Sequence, residues 1–532
     1  MQTLILDSKK EQDIKKAGEI LRNSGLVAIP TETVYGLAAN ALEPSAIKKI
    51  YEAKGRPSDN PLIVHIANID QLPKLVTNFP EKAKNLARKF WPGPLTMVLP
   101  KSDIVPKETS GGLETVAIRI PLSEVARKII ANSCPLAAPS ANISGKPSPT
   151  KFSHVYEDLN GKIDAIVKAE DCSVGLESTV ISFCSETPKI LRPGAVSLEQ
   201  IEQIIGKVEL DKAVFEHIEN MENVSSPGMK YKHYSPKAKI IMTHLSFDDY
   251  LKFFEENPNA QALCFEGEEK EIPAKAISYG KIYDSQSQAK ELFSALHKLD
   301  KEKFSLVLAR APKKTGVGTA VYNRLIRACG FEEIYPECKI VGLTGQTGSG
   351  KSTVAKVLAS ENMPIIDCDK ITREPSLYSG DCLEQLIEFF GKDICENSIL
   401  NRKELAKRAF SSESNTKKLG EITFPFIKRK IIAEIRRLKA LGNTIIILDA
   451  PTLFEAKADR FCSHILAVTA DEDLRLERIM KRDELSKNEA LERMNAQHTL
   501  DFFSKRADFI IDTNKNEYLE QTQKFIKFIK GE

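Results

Sequence analysis

The sequence predicts a multidomain protein of the α/β class. The chain has 532 residues, whereas one hydrophobic core stops growing at about 250–300 residues, so we expect several domains. Short apolar runs bounded by Gly, Pro or polar residues alternate with helical patterns, which is typical of strands separated by helices. A glycine-rich loop also joins an apolar strand to a helix near residue 345, as in parallel α/β nucleotide-binding domains.

The composition excludes several other classes of protein. Hydrophobic residues make up 42% and charged residues 28% of the chain, which is typical of a globular protein and excludes general disorder. The 76 basic and 73 acidic residues give a net charge of +3, which excludes a bulk polycation but allows a local basic groove. No run approaches the roughly 20 apolar residues of a membrane span, and the start lacks a signal-peptide pattern.

The ten cysteines are scattered and form no C-x-x-C pair. At this length they do not indicate a disulfide framework or a zinc site. We therefore expect reduced thiols and a cytoplasmic protein.

We expect the first domain at residues 1–206, an accessory α/β domain at 237–332 and a third domain at 338–532. The segment 207–236 has no periodicity and is predicted to be a linker or arm. The strands expected in the first two domains are Leu26–Pro30, Leu62–Ile66, Leu95–Leu99, Val116–Ile120, Ala165–Val167, Lys239–Met242, Gln261–Phe265 and Phe304–Leu308. The accessory domain ends in a helix that carries Asn323, Arg324 and Arg327.

In the third domain, helical patterns separate the strands, which predicts a parallel sheet covered on both faces. The expected strands are Lys339–Leu343, Pro364–Ile366, Thr444–Leu448, His464–Val468 and Phe509–Ile511.

The segment Gly345–Ser352 matches the phosphate-binding pattern G-x-x-x-x-G-K-[ST] without a mismatch. Its glycines allow backbone N–H groups to face phosphate oxygens, and the helix that follows adds its positive N-terminus. Lys351 is expected to reach the β- and γ-phosphates of ATP, and Ser352 to bind Mg²⁺. The candidate ATP contacts of this loop are Gly345, Gly348, Ser349, Gly350, Lys351, Ser352 and Thr353.

The third domain lacks the D-x-x-G pattern that a GTPase would need, and its size fits a small-molecule kinase. Such kinases cover the phosphates with a cationic lid. Arg478 and Arg482 lie at helical spacing and are the candidate lid residues for ATP, with a solvated helix face as the alternative interpretation.

Residues 338–532 resemble the dephospho-CoA kinase family. The family motifs stand here as Val341–Gly345, Gly348–Val354, Asp367–Asp369, Ile422–Pro425, Asp449–Glu455, Arg478 to Arg482, Arg493 to Gln497 and Ala507–Asp512. Three departures occur: Gln346-Thr347 replace Gly-Ile, Phe424 replaces His, and Thr452 replaces Leu.

The resemblance implies transfer of the γ-phosphate of ATP to the ribose 3′-hydroxyl of dephospho-CoA. Asp369 and Lys351 are the candidate catalytic residues. Asp369 would accept or orient the hydroxyl proton, with a Mg²⁺-shell or N-cap carboxylate as the alternative interpretation. Asp449, at the end of its strand, would approach Mg²⁺ together with Ser352.

The first domain carries cations and small polar side chains in loops rich in turn-forming residues. Lys54 and Arg56 are two residues apart, so in an extended segment they project to one side. Arg119 offers a planar fork that can grip a carboxylate. Ser140–Gly145 adds hydroxyls and an amide. Each motif alone could also be a plain loop.

Together these motifs resemble the YrdC-type threonylcarbamoyl-AMP synthases of the longer, two-domain branch. The family motifs are Pro30–Leu37, Lys54–Arg56, Asp59–His65, Trp91–Thr96, Ser140–Asn142, Glu177–Val180 and Arg192–Gly194. The segment Ser226–Pro236 resembles the linker that reaches over the active site in that branch, and 239–330 resembles its accessory domain, for which a small Rossmann-like fold is expected.

The resemblance implies that L-threonine, bicarbonate or CO₂, and ATP give threonylcarbamoyl-adenylate and pyrophosphate. The product would serve tRNA modification indirectly, without a membrane partner. Lys54 and Arg56 are the candidate catalytic cations, assisted by Mg²⁺. Threonine would be held by Thr33, His65, Arg119 and Ser178, and ATP by Arg56, Asn60, Thr115, Ser140, Asn142, Ser148, Arg192 and Tyr231.

Two alternatives remain open. The first domain could be an RNA-binding module, because basic concavities attract phosphate backbones, although the near-neutral net charge disfavours it. The third domain could be a scaffold, or a P-loop kinase for another acceptor, which Phe424 keeps open.

Overall fold

The computed structural model describes residues 2–215, 238–302, 304–396, 399–514 and 517–531. The chain divides into two compact units. One comprises Met1–Thr243 and Phe253–Ile334, and the other comprises His244–Lys252 and Tyr335–Glu532. Tyr231 and most of the predicted arm at 207–236 lie outside the described residues.

The first part of the chain forms an 11-stranded mixed sheet. Its strands are β1 (Leu4–Asp7), β2 (Val27–Ile29), β3 (Gly36–Asn40), β4 (Ile63–His65), β5 (Leu95–Pro100), β6 (Thr115–Arg119), β7 (Leu136–Ala137), β8 (Ala165–Lys168), β9 (Thr179–Ser182), β10 (Lys189–Arg192) and β11 (Glu209–Leu210). They lie in the order β1-β8-β2-β3-β7-β4-β6-β5-β9-β10-β11.

The first helix beside this sheet buries one apolar stripe. In the first helix the buried residues Ile14, Ala17, Gly18 and Leu21 recur at helical spacing. The helices are α1 (Glu11–Arg22), α2 (Pro44–Lys54), α3 (Glu81–Phe90), α4 (Lys107–Ser110), α5 (Glu124–Ala131), α6 (Phe152–Leu159) and α7 (Leu198–Ile205).

The register of the central strands sets up the site described below. β4 and β6 are parallel, and His65 is paired with Arg119 at their carboxyl ends. β5 is antiparallel to β6 and parallel to β9, so the sheet is mixed, as expected from the sequence. Several strands were not predicted, among them β3, because its sequence GLAAN contains no β-branched or aromatic residue.

The accessory region of the first unit has a five-stranded sheet in which all pairings are parallel. Parallel strands joined by helices are the arrangement expected of a Rossmann-like domain. Its strands are β12 (Lys239–Thr243), β13 (Gln261–Cys264), β14 (Ala276–Ser278), β15 (Leu306–Arg310) and β16 (Glu333–Ile334), and its helices are α9 (Ser285–Glu302) and α10 (Gly318–Ala328). The residues of α8 (Phe247–Glu256) are divided between the two units.

The second unit contains the predicted parallel sheet, in the order β18-β21-β17-β22-β23. Its strands are β17 (Lys339–Gly345), β18 (Ile365–Asp367), β21 (Ile445–Asp449), β22 (His464–Thr469) and β23 (Phe509–Asp512), beside a hairpin of β19 (Cys395–Glu396) and β20 (Ile399–Leu400). The helices are α11 (Lys351–Ser360), α12 (Cys368–Arg373), α13 (Asp381–Phe390), α14 (Arg402–Ala409), α15 (Glu413–Ala440), α16 (Glu472–Asp483), α17 (Lys487–Asn495), α18 (Leu500–Arg506) and α19 (Tyr518–Lys530).

Both faces of this sheet are buried, as the continuous apolar strands indicate. Ile340 of β17 packs into one hydrophobic cluster, while its neighbours Val341 and Leu343 pack into another. Successive side chains of a strand point to opposite faces, so the two clusters are the two layers of helices. Among the described residues, none of the helices has the length and apolar character needed to cross a membrane.

Two buried histidines stack where α6 meets α9 within the first unit. The rings of His154 and His297 lie 3.9 Å apart, centroid to centroid, at 23°. Burial, together with the neighbouring His297, Lys151 and Lys301, lowers the pKa of His154 from 6.5 to about 3. Burial also lowers the pKa of His297. Both rings are therefore neutral in the folded chain near neutral pH.

We predict that acid loosens this contact. When the contact opens, the rings regain pKa values near 6.5, so the open form takes up protons that the folded form does not. Stability is therefore lost as the pH falls below about 6.5. Hydrogen exchange of α6 and α9 peptides, corrected for intrinsic rates, should give an opening free energy about 2–4 kcal/mol lower at about pH 5 than at about pH 7.5.

The double variant His154→Phe/His297→Phe is the control, because it keeps stacked rings but removes both titrations. Its opening free energy should change little over the same pH range. Equal pH dependence in the variant and the parent chain would contradict the assignment.

Candidate functional site

A cleft of about 670 Å³, partly open to solvent, lies in the first unit. The cleft brings together nine of the residues that the sequence predicted for threonine and ATP, from segments far apart in the chain: Thr33, Arg56, His65, Arg119, Ser140, Asn142, Ser148, Ser178 and Arg192.

The first feature of the cleft wall is a buried ion pair. The Nη2 of Arg119 donates to Oε1 of Glu32 at 2.6 Å, and both side chains are 4% exposed. The same guanidinium donates from Nη1 to the hydroxyl of Thr33 at 2.9 Å and from Nε to the carbonyl of Gly93 at 3.1 Å. Burial alone would raise the pKa of Glu32, but the charge of Arg119 holds it below its usual value.

These bonds fix the plane of the Arg119 guanidinium at the cleft. Three of the five N–H groups of an arginine are used here, so the fork can still receive a ligand carboxylate. The geometry suits recognition of a small amino acid by its carboxylate and a nearby hydroxyl.

His65 lies beside Arg119 because β4 and β6 are in register. Burial, and then the Arg119 charge, lower its pKa to about 3. Its ring contacts the carbonyl of Ile63 through Nδ1 at 3.2 Å. A neutral imidazole can both donate and accept a hydrogen bond, so His65 offers the cleft a polar contact without a second positive charge.

A second network surrounds Glu177. Its Oε1 accepts from Ser148 at 2.5 Å, and its Oε2 accepts from Nε of Arg324 at 2.8 Å. Burial would raise its pKa, but the charges of Arg324 and Arg192 lower it to about 2. Arg192 itself donates to the carbonyl and hydroxyl of Ser178 at 3.2 and 3.3 Å. Glu177 is thus an ionised carboxylate in the cleft wall.

Three of the predicted residues that the structure describes do not line the cleft: Lys54, Asn60 and Thr115. Lys54 is 2% exposed, and its ammonium donates to the carbonyls of Ser140 and Asn142, so it supports their loop from behind. Thr115 begins β6 and faces Pro100 across the ladder. Asn60 is 1% exposed, with an amide that has no hydrogen-bond partner in the described residues. Tyr231 lies outside the described residues.

The sequence reasoning missed three charged residues of the site. Glu32 and Glu177 stood inside the quoted motifs, and Lys146 lines the cleft beside Asn142. A glutamate in a run such as Thr31-Glu32-Thr33 gives no sign that it is buried. The available signal was the presence of buried arginines, because a buried charge must be paired.

The second unit contains the phosphate-binding loop between β17 and α11. Gly345, Gly348 and Gly350 have φ values of 150°, 78° and 89°, and φ values of this kind favour glycine. A Cβ at Gly345 would come within 2.3 Å of the carbonyl oxygen of Val468. Ser349 is 1% exposed, while Ser352 and Thr353 lie in the exposed first turn of α11.

Lys351, at the start of α11, is paired with Asp449 at the end of β21. Burial raises the pKa of Asp449, and the carboxylates of Asp367 and Asp369 raise it further, while Lys351 opposes this. Three acidic groups therefore lie near one lysine at the carboxyl edge of the sheet, where parallel α/β sheets bind ligands.

The predicted lid helix α16 contacts the loop directly. Arg478 donates to the carbonyl of Gly348 at 3.1 Å and to the hydroxyl of Thr513 at 2.9 Å. Arg482 lies 3.4 Å from the hydroxyl of Thr347 and is paired with Asp483 at 2.7 Å. Both arginines are thus at the edge of the loop that would hold phosphates.

Both residues of the Gln346-Thr347 departure from the kinase motif also make contacts here. The amide of Gln346 donates to the carbonyl of His498 at 2.9 Å, and the backbone N–H of Thr347 donates to Gln497 at 2.7 Å. They tie the loop to the segment after α17. Phe424 lies on α15 and is 40% exposed.

In the described part of the chain, no three or more His, Cys, Asp or Glu side chains converge on a metal site. Mg²⁺ commonly takes only one or two carboxylates and completes its shell with phosphate oxygens and water. Asp449, with Asp367 and Asp369 nearby, fits that requirement.

Three family models match the chain. One, described as "Telomere recombination" for the Sua5, YciO and YrdC proteins, matches residues 19–194. The threonylcarbamoyl-AMP synthase C-terminal domain matches 196–330, and dephospho-CoA kinase matches 339–519.

Individual proteins divide in the same way. A threonylcarbamoyl-AMP synthase of Pyrococcus abyssi is 44% identical over 62% of this chain and 99% of its own length. A dephospho-CoA kinase of Listeria innocua is 37% identical over 35% of this chain and 92% of its own length. A crystal structure of P. abyssi Sua5 complexed with L-threonine covers 63% of this chain and 100% of that chain, at 42% identity and a TM-score of 0.59.

We predict that the Glu32–Arg119 pair is a main support of the cleft. Glu32→Ala leaves a buried guanidinium without its counter-charge, which should lower the free energy of unfolding by about 3–5 kcal/mol. The single tryptophan of the chain, Trp91, lies in this unit and reports its denaturant unfolding by fluorescence.

The matched control is Glu124→Ala, which breaks the exposed pair with Lys128 and should lower the free energy by less than about 1 kcal/mol. A Glu32→Ala effect no larger than that of the control would show that the buried pair does not support the fold.

Proposed function

The chain belongs to the threonylcarbamoyl-AMP synthase family in its first 330 residues and to the dephospho-CoA kinase family in the residues that follow, and we propose that it catalyses two separate ATP-dependent reactions. The division into domains at 1–206, 237–332 and 338–532, with an arm between the first two, is part of the proposal. The observation that carries it is the joint presence of a cationic cleft and a complete phosphate-binding loop, each with its own ion-pair network.

In the first reaction the amino group of L-threonine attacks the carbon of CO₂ and loses a proton to give a carbamate; when bicarbonate is the source, water leaves. The carbamate oxygen attacks the α-phosphorus of ATP, and the bond to the β-phosphate breaks to release pyrophosphate. Arg119, Thr33 and His65 would hold threonine, and the neutral His65 adds a polar contact without a second positive charge. Arg56 and Arg192 line the cleft and would neutralise the charge that develops on pyrophosphate.

The remaining predicted residues take supporting roles in this proposal. Ser140, Asn142 and Ser148 line the cleft and would contact the nucleotide. Lys54 would act through the loop that its ammonium holds. Asn60, Thr115 and Tyr231 stay predictions for ATP binding. The adenylate would serve tRNA modification in the cytoplasm.

In the second reaction the ribose 3′-hydroxyl of dephospho-CoA attacks the γ-phosphorus of a second ATP, and ADP leaves. Lys351 would exchange its bond to Asp449 for the β- and γ-phosphates. Asp369 would accept the hydroxyl proton, and Arg478 and Arg482 would cover the phosphates. Ser352 and Asp449 would hold Mg²⁺, which supplies charge neutralisation for phosphoryl transfer.

We predict that single substitutions separate the two activities. ATP is followed by chromatography in one reaction with threonine and bicarbonate and in another with dephospho-CoA, both with Mg²⁺. Because the reactions break different bonds of ATP, the parent chain should give pyrophosphate only in the first and ADP only in the second. Lys351→Ala should abolish ADP formation and leave pyrophosphate release intact, and Arg56→Ala should do the reverse.

Each variant is the control for the other, since both keep one site intact. No ADP from dephospho-CoA would indicate a scaffold or another acceptor, and a panel of nucleosides would then test the replacement of His by Phe424. No threonine-dependent pyrophosphate would favour RNA binding by the first domain.

A further inference from the structure

The accessory region packs so closely against a loop of the cleft that the loop has room only for a glycine at the point of contact. Gly175 has a φ of 81°, and a Cβ there would lie 2.4 Å from Cα of Lys290 and 2.6 Å from the carbonyl oxygen of Ala289 in α9. The backbone of α9 therefore rests on this loop two residues before Glu177.

Two residues of the cleft loops belong to the hydrophobic core of the accessory region. Val34 and Leu176 are 7% and 0% exposed and pack in the same cluster as Leu292 and Leu325. Val34 follows Thr33, and Leu176 precedes Glu177, so each anchors a loop that lines the cleft. The backbone N–H of Val174 also donates to the carbonyl of Glu32 at 2.8 Å, which joins the two loops.

The accessory helix α10 reaches the cleft wall through Arg324. This side chain is 0% exposed, although it does not line the cleft itself. Its Nε donates to Glu177 at 2.8 Å, and its Nη1 donates to Oδ1 of Asn323 at 2.8 Å. The amide of Asn323 in turn donates to the carbonyl of Val214 at 2.6 Å. The guanidinium is thus held on two sides.

The hydrogen bond from Arg324 helps to keep Glu177 ionised and so determines which kind of hydrogen bond Glu177 makes with Ser148. With a pKa lowered to about 2, Glu177 is ionised, and an ionised carboxylate can only accept hydrogen bonds. The hydroxyl hydrogen of Ser148 is therefore committed to Glu177 at 2.5 Å. The oxygen of Ser148 is left as an acceptor, which suits a donor such as a ribose hydroxyl or an adenine amino group.

We propose that Arg324 of the accessory region is a positioning residue for the nucleotide at the synthase site. It fixes Glu177 so that Ser148 presents an acceptor to the bound ATP, and together with Arg192 it balances the negative charge of Glu177. ATP binding therefore depends on Arg324, whereas the hydrogen bonds that hold Arg119 for threonine do not involve it. This inference rests on the proposed function of the first unit.

The test compares substitutions in the full-length chain. Arg324→Met should raise the KM for ATP in threonine-dependent pyrophosphate release by about tenfold or more, as loss of a charge-assisted contact does. The KM for threonine should stay within about threefold. The ADP formed from dephospho-CoA should not change. Arg324→Lys should be intermediate, because it keeps the charge but not the fork.

Arg327→Met is the matched control. Arg327 lies on the same helix and donates to the carbonyl of Ala213 at 2.6 Å. Its KM for ATP should stay within about twofold of the parent value. An equal effect of the two substitutions would reduce Arg324 to a packing role and overturn the proposal.

Because Arg324→Met leaves a buried carboxylate, the double variant Glu177→Gln/Arg324→Met removes both charges and protects the fold. The glutamine amide can donate to Ser148, so the KM for ATP should stay raised. A return to the parent value would show that Arg324 only balances charge. Ser148→Ala should add little to Arg324→Met, since both remove the same acceptor, whereas full additivity would contradict the link.

Equilibrium dialysis with ATP separates this inference from the proposed reaction. The parent chain should bind two ATP molecules, and Arg324→Met should bind one at the same ATP concentration. Two bound ATP molecules without pyrophosphate release would refute the reaction but not the role of Arg324. Two molecules bound with unchanged affinity by Arg324→Met would refute the role of Arg324.

Discussion

The cleft of the first unit depends on two buried carboxylate–guanidinium pairs. A site that binds an amino acid and a polyphosphate needs fixed cations, yet a buried cation without a counter-charge is costly. Glu32 and Glu177 supply that counter-charge. They leave Arg119 oriented at one end of the cleft and Arg192 at the Ser178 side. The carboxylates thus orient the cations that face the ligands.

The second unit meets the same constraint in a different way. Lys351 is only partly buried, and the pKa of its partner Asp449 is raised by burial and further by the nearby carboxylates of Asp367 and Asp369. Like charges gathered at the end of a parallel sheet repel one another, and a divalent cation and a lysine would both relieve that repulsion. The acidic side chains at the end of the sheet would therefore hold the cation of a triphosphate, while the glycine-rich loop would hold its phosphates.

The accessory region supports the cleft of the first unit through its hydrophobic core and through one buried arginine. Its core includes Val34 and Leu176, and its helix α10 supplies Arg324 to the cleft wall. Packing of this kind makes the two loops of the cleft part of one hydrophobic core. The geometry of the cleft and the fold of the accessory region are consequently linked.

The sequence alone determined the fold class, the parallel sheet of the second unit and the phosphate-binding loop, because these follow from local patterns. Apolar strands buried on both faces, and glycines followed by Lys351, carry their meaning within a few residues. The motifs of the first unit predicted which residues gather at the cleft, and nine of them line it. Short strands such as β3 were missed because their residues have little strand propensity.

Only the tertiary structure decided how these residues are partnered. Glu32 is adjacent to Thr33 in the sequence, but its counter-charge comes from residue 119; Glu177 takes its counter-charge from residue 324. Lys54 turned out to hold a loop because carbonyls almost 90 residues away in the chain surround its ammonium (separations of 86 and 88 residues). Burial and long-range pairing arise from packing of the whole chain, and no local pattern records them.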